Sequence, residues 1–181
     1  MNAVAQTMVE QPRRAEFLLG VHFAIREGTP GDRAYIAQTW TQSHGKWGCL
    51  ESKRHRLKKK VGQTDLHAST RAYASRVLHG LQEDGEIRGR PPARVFVATP
   101  VLEALGPDAS PTDLVLGYLV VSADGRTLHY AYVREPYRSK GMARALVKAA
   151  DLSRVVQFSH RTVYSGRVTK YARGAVFNPY S

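Results

Sequence analysis

Between Thr127 and Leu146 the chain changes its construction within a few residues, and this limits the folds open to it. Thr127 to Val133 (Thr-Leu-His-Tyr-Ala-Tyr-Val) reads as a strand, Pro136 stops its continuation, and a helix is expected from Ser139 to about Leu152. Ala143, Leu146, Val147 and Ala150 are spaced for one apolar face of that helix. The first N–H groups of a helix have no internal partner, and the helix dipole favours an anion there. Gly141 has no Cβ, so a bulky phosphate can approach the backbone, and Ala143 keeps the first turn small. Arg138 and Lys140 add positive charge. The loop Arg138, Ser139, Lys140, Gly141, Met142, Ala143 is therefore a candidate pyrophosphate cradle. As a bare pattern, R-x-x-G-x-A is weak, because any helix start carrying a glycine supplies it.

The elements around this segment form a mixed α/β pattern. Val21, Phe23 and Ile25 alternate with His22, Ala24 and Arg26 as a strand does. Thr29-Pro30-Gly31-Asp32 reads as a helix start, with Thr29 as N-cap and Asp32 completing a shortened capping box. Ile36, Ala37 and Trp40 give that helix its apolar face. Residues 43–64 read as an irregular basic connection centred on Lys53-Arg54-His55-Arg56-Leu57-Lys58-Lys59-Lys60. A second helix is expected from about Asp65 to Gln82, with Tyr73, Val77 and Leu81 on one face and Asp84-Gly85 ending it. Strands follow at Arg94 to Ala98, Leu114 to Val121 and Thr127 to Val133, the last two joined by a hairpin turn at Ala123-Asp124-Gly125. After the motif helix come a short strand at Val155 to Phe158, a short helix from Gly166 to Arg173, and a last strand at Ala175 to Phe177.

At 181 residues and 43% hydrophobic, the chain fits one domain over residues 21–181, with residues 1–20 a tail or peripheral element. No apolar run approaches the roughly 20 residues that span a bilayer, and Met1 to Arg14 has no signal-peptide core. The expectation is a soluble cytoplasmic protein with no membrane partner. Cys49 is the one cysteine: it has no partner for an internal disulfide, no zinc spacing surrounds it, and its context suggests packing rather than catalysis. No metal is expected. The formal charge of +12 favours polyanions, whether nucleic acid, an acidic protein face or a phosphorylated small molecule.

The spacing V-x-x-P-x-x-R-x-x-G-x-A, from Val133 to the helix start, resembles the GNAT superfamily of N-acetyltransferases. Ile25 to Asp32 is similar to the first strand and helix start of that family. Val95 to Ala98 and Gly117 to Val120 are similar to the strands before its motif strand. Tyr171 to Phe177 is similar to the closing Tyr-x-x-x-Gly-Phe, with altered spacing. The resemblance covers about Val21 to Phe177 apart from the basic insertion. It implies a central, mostly antiparallel sheet with splayed strands flanked by helices, and acetyl-CoA as co-substrate with its pyrophosphate on the Arg138 to Ala143 loop. The ending Phe177-Asn178-Pro179-Tyr180, with Phe158 to Thr162 and Trp40, is also similar to phage-encoded GNAT-like proteins, which would place the chain in a bacterial or phage-infected cell.

The resemblance further implies that pantetheine enters between the motif strand and the next one, pairing with backbone groups of Tyr132 and Val133. An N–H near Val133 would polarise the thioester carbonyl. The acceptor amine must lose a proton before it attacks. No carboxylate stands on the motif strand, so His129 is the first candidate base and His160 the second; Glu27 is a third. Each has an ordinary structural alternative. Tyr171 is the candidate acid for the departing thiolate, with Tyr164 behind it. Trp40, Tyr130, Lys53, Arg54 and Arg56 are candidate acceptor-binding residues. The acceptor is an unidentified primary amine, free or on a protein. It could also be carried on nucleic acid, such as aminoacyl-tRNA or a base. A non-catalytic module that binds CoA or a protein partner is a further alternative. The basic cluster can equally be a solvated face, and nothing in the sequence indicates the oligomeric state.

Overall fold

The computed structural model describes residues 15–18, 21–47, 63–80, 91–101, 115–160, 172 and 174–178. In chain order the elements are β1 (Ala15–Leu18), β2 (Val21–Glu27), α1 (Asp32–Trp47), α2 (Gln63–His79), β3 (Arg94–Pro100), β4 (Gly117–Val121), β5 (Thr127–Val133), α3 (Met142–Ala150), β6 (Gln157–Phe158) and β7 (Val176–Phe177). Single 3-10 turns at Glu135–Tyr137 and Leu152–Arg154 flank α3.

The strands form one sheet in chain order. Neighbours from β1 to β5 are antiparallel, while β5–β6 and β6–β7 are parallel. This is the mixed, mostly antiparallel sheet flanked by helices that was expected. Period-two alternation divides the core between the two faces. Phe96, Ala98, Leu119 and Val121 join α3 residues on one face. Val95, Val97, Tyr118 and Val120 join Ile36 and Trp40 of α1 and Ala74 and Leu78 of α2 on the other. Each fully buried aliphatic side chain of this kind stabilises the fold by about 1.5–3 kcal/mol.

Strict alternation fails once, in β5. Val120 pairs with Tyr130 and Val121 with Leu128, so the register shifts and His129 is the extra residue. Leu128 packs on the α3 side, whereas both His129 and Tyr130 reach the α1/α2 side.

The start of α1 follows the sequence closely. The Asp32 carboxylate accepts from the Thr29 N–H at 2.7 Å and from its hydroxyl at 2.9 Å. Arg26 grips the same carboxylate through two nitrogens, at 2.7 and 2.8 Å. Burial pushes the Asp32 carboxyl up, but the Arg26 and Thr29 hydrogen bonds outweigh it and hold the group below the ordinary carboxylate range.

Several boundaries differ from expectation. α1 runs on to Trp47 and α2 begins at Gln63, so both ends of the expected 43–64 connection are helical. The weakly apolar stretch after Thr41 hid this. There Ser43 bonds back to the Thr39 carbonyl at 2.6 Å within the helix. α2 stops at His79 rather than near Gln82, because Gly80 turns left-handed (φ 73°) and its N–H returns to the Arg76 carbonyl. α3 starts at Met142 rather than Ser139, because Ser139 (φ 61°) and Gly141 (φ 80°) are both left-handed. Within α3, Ala143 is exposed and Met142 is the residue driven into the core, 1% exposed. The strand expected over 155–158 is confined to Gln157–Phe158, and the last to Val176–Phe177. The short helix expected over 166–173 lies outside the described residues except at Ala172.

Candidate functional site

The site is built where β5 and β6 part company. They pair only through Thr127↔Gln157 and Leu128↔Phe158, and the last backbone link is the Ser159 N–H to the Leu128 carbonyl at 3.1 Å. A polar side-chain ladder pins this end. Gln157 Nε2 donates to Thr127 Oγ1 at 2.8 Å, and Asn178 Nδ2 donates to Gln157 Oε1 at 3.0 Å. Phe158 packs on Phe177 beside it. Beyond Leu128, β5 continues five residues without a β6 partner among the described residues.

The register decides which backbone groups face the opening. The Arg134 N–H bonds to Leu116 on the β4 side, so by alternation Tyr132 also faces β4, and its carbonyl lies against Gly117. Ala131 and Val133 are turned the other way. The expected backbone role of Tyr132 therefore passes to Ala131, while that of Val133 is retained. The Val133 carbonyl accepts from Arg138 Nε at 3.0 Å, which folds Arg138 across the end of β5.

The loop after β5 leads from the turn Glu135–Tyr137 through two left-handed residues into α3. Gly141 is the N-cap, with no side-chain hydrogen bond. The Arg144 and Ala145 N–H groups both return to the Gly141 carbonyl, at 2.9 and 3.1 Å. The N–H groups of Met142 and Ala143, the first two of the helix, have no intrahelical acceptor. Ser139 is exposed, and Arg138, Lys140 and Gly141 are half-buried. Gly117 lets the helix start approach the sheet. A Cβ there would stand 2.8 Å from the Tyr132 carbonyl oxygen and 3.2 Å from Met142 Sδ. The small residue that allows close packing is thus Gly117, which the sequence did not single out, rather than Ala143.

On the α1/α2 side of the parting lies a polar and aromatic cluster. The Tyr73 hydroxyl is 2.9 Å from Nδ1 of His129. That nitrogen is 3.1 Å from Ser159 Oγ, which is 2.9 Å from Nδ1 of His160 and 3.4 Å from the His129 carbonyl. The His160 ring stands edge-on to Tyr73 (4.9 Å), Trp40 (5.3 Å) and Tyr130 (5.9 Å). Trp40 stacks on Tyr130 at 4.9 Å, and Tyr130 also bonds Ser43 at 2.9 Å. Burial pushes the Tyr130 phenol up to about 12 despite the Ser43 bond, so it stays neutral near pH 7. Trp40 Nε1 is a buried donor with no hydrogen-bond partner among the described residues.

His129, His160, Trp40 and Tyr130 are therefore gathered in one place, on the face opposite α3. His129 is buried (7% exposed) and engaged by Tyr73 and Ser159, whereas His160 is half-buried. Glu27 is exposed and pairs with Arg94 at 3.4 Å. Lys53, Arg54, Arg56, Cys49, Tyr164 and Tyr171 lie outside the described residues. Tyr73 and Ser159 complete the cluster. Tyr73 had been read only as part of an apolar helix face; the available signal was a hydroxyl within that face. For Ser159 the signal was its place next to His160, directly after β6. Among the described residues, no three His, Cys, Asp or Glu side chains converge as a metal site would require, and no helix is long and apolar enough to cross a membrane.

No family model matches the chain. No curated protein matches it either. Among solved structures, it is similar to a GCN5-related N-acetyltransferase (aminotransferase, class-II) from Rhodopseudomonas palustris, at 13% identity and a TM-score of 0.42 over 77% of this chain and 68% of that one. It is similar to the apo-form of YjaB from Escherichia coli at 16% identity and 0.38, over 74% and 66%. It is similar to the ribosomal-protein-alanine N-acetyltransferase of Brucella melitensis biovar Abortus at 18% and 0.37, over 81% and 86%.

Proposed function

We propose that this chain is a GNAT-type N-acetyltransferase, moving the acetyl group of acetyl-CoA to a primary amine by direct attack within a ternary complex. The observation that carries the reading is the parting of β5 and β6 beside the Gly141 turn. A strand edge with unpaired backbone groups and a helix start with unpaired N–H groups then lie at the two ends of one short loop.

The residues fit the co-substrate. The N–H groups of Met142 and Ala143 are donors for a diphosphate, and Gly141 has no side chain to obstruct it. Lys140 adds positive charge in the same loop. The pantetheine arm carries amides that need partners, and the backbone of Ala131 and the Val133 N–H face the opening beside β5. The Val133 N–H would polarise the thioester carbonyl, a fixed dipole aimed where negative charge develops in the transition state. The amine acceptor enters from the α1/α2 face, where Trp40, Tyr73, Tyr130 and His160 meet.

The test is incubation of the purified protein with isotopically labelled acetyl-CoA and cell extract, followed by mass spectrometry. A labelled acetylated amine that forms only with active protein is expected. CoA binding without any transferred label would reduce the chain to a binding module.

A further inference from the structure

We propose that His160 is the base that takes the acceptor's proton, and that Ser159, His129 and Tyr73 are positioning residues that keep its lone pair on Nε2. This rests on the acetyltransferase reading and deepens it by reversing the order of the two histidines.

The argument is an allocation of protons. The Ser159 hydroxyl has one hydrogen and three neighbours within reach: the His129 carbonyl at 3.4 Å, Nδ1 of His129 at 3.1 Å and Nδ1 of His160 at 2.9 Å. The carbonyl is buried and can only accept. Nδ1 of His129 already has a donor in the Tyr73 hydroxyl at 2.9 Å. The allocation that serves each group sends the Tyr73 hydrogen to Nδ1 of His129 and the Ser159 hydrogen to the His129 carbonyl. Ser159 Oγ then accepts from His160, so His160 carries its proton on Nδ1 and its lone pair on Nε2. His129 is held as a scaffold, buried beneath the ring that does the chemistry. The bulge in β5 makes this possible, because it turns His129 to the same face as Tyr130.

In the reaction, Nε2 of His160 takes a proton from the acceptor nitrogen as that nitrogen bonds to the thioester carbon. The carbon–sulfur bond breaks, and the thiolate leaves with the bonding pair. The imidazolium returns its proton to the thiolate or to water, so the products are an N-acetyl amide and free CoA thiol. The titratable groups facing His160 among the described residues are Tyr73 from α2, and His129 and Tyr130 from β5. α1 contributes the uncharged Trp40. No carboxylate among the described residues faces it.

The first arm of the test is nitrogen NMR of the protein alone, with labelled imidazoles assigned by the His160→Gln and His129→Gln variants. His160 should be the Nδ1–H tautomer at neutral pH and should lose that preference in Ser159→Ala, with Ser159→Thr restoring it. An Nε2–H tautomer in the wild type, or no change in Ser159→Ala, overturns the positioning role. The second arm follows thiol release from acetyl-CoA with benzylamine, putrescine and a lysine-bearing peptide as acceptors, beside calorimetry of acetyl-CoA. His160→Gln should keep wild-type acetyl-CoA affinity and lose about 100-fold or more in kcat/KM, together with the imidazole limb of the pH profile. Ser159→Ala should lose about tenfold. Unchanged turnover in His160→Gln overturns the base role alone. Absence of acetyl-CoA binding by the wild type overturns the acetyltransferase reading and the base role with it, while leaving the tautomer result to stand.

Discussion

Nδ1 of His129 and Oγ of Ser159 stand 3.1 Å apart, across the point where β5 and β6 cease to pair. Tyr73 approaches the same nitrogen from α2 at 2.9 Å, so one ring atom joins three elements. A net contribution of about 0.5–1.5 kcal/mol is ordinary for one such bond. Because the two hydroxyls share one nitrogen, Tyr73→Phe and Ser159→Ala should be non-additive. A double-mutant cycle by denaturant unfolding should give a coupling of at least about 0.5 kcal/mol. Strict additivity would mean that Nδ1 does not join the two hydroxyls.

The Arg26–Asp32 pair closes the start of α1, so Asp32→Asn should destabilise the fold by about 1–3 kcal/mol at neutral pH. The sign with pH follows from the depressed carboxyl. Its folded pKa lies below the unfolded value of about 3.9, so its stabilisation is complete above that value and is lost as pH falls through the folded pKa. Unfolding free energies of the two proteins should therefore converge in acid. A constant difference down to pH 2 would contradict the assignment.

Much of this was legible in the sequence, and the exceptions have physical causes. β5 was readable end to end, because β-branched and aromatic residues fill it and Pro136 closes it. The Thr29–Asp32 start was readable because capping is local. The start of α3 was not, since its position depends on the left-handed Ser139, a residue whose type gives no hint of it. Nor was the bulge: period-two reading sends His129 and Tyr130 to opposite faces, and only the pairing of Val120 with Tyr130 and Val121 with Leu128 shows otherwise. The anion loop was legible as a motif. The His129–Ser159–His160–Tyr73 cluster was not, because it joins residues up to 87 positions apart in the sequence.

Gly117 should be as sensitive as any loop residue. Gly117→Ala places a Cβ 2.8 Å from the Tyr132 carbonyl oxygen, a backbone atom that cannot move without disturbing β5. The variant should lose about 1–3 kcal/mol of stability, and its acetyl-CoA affinity should fall because Met142 shifts with it. Thermal unfolding and calorimetry check both. Wild-type affinity in a destabilised Gly117→Ala would separate the sheet contact from the loop.

Trp40 is fully buried and stacked on Tyr130, yet its indole N–H has no partner among the described residues. Trp40→Ala should cost about 3–5 kcal/mol. Trp40→Phe keeps an aromatic ring and removes a donor whose lone burial costs about 1–3 kcal/mol, so it should cost far less. Equal losses in the two variants would show that the N–H is satisfied in solution.

The central claim is that the Gly141 turn receives the diphosphate of acetyl-CoA, and isothermal titration calorimetry of acetyl-CoA tests it most directly. Gly141 has φ of 80°, which asparagine tolerates and most other residues do not. Wild type and Gly141→Asn should bind one equivalent. Gly141→Glu, whose folding is checked by circular dichroism, should bind none, because its carboxylate adds bulk and negative charge where the diphosphate belongs. Wild-type affinity in folded Gly141→Glu would contradict the account.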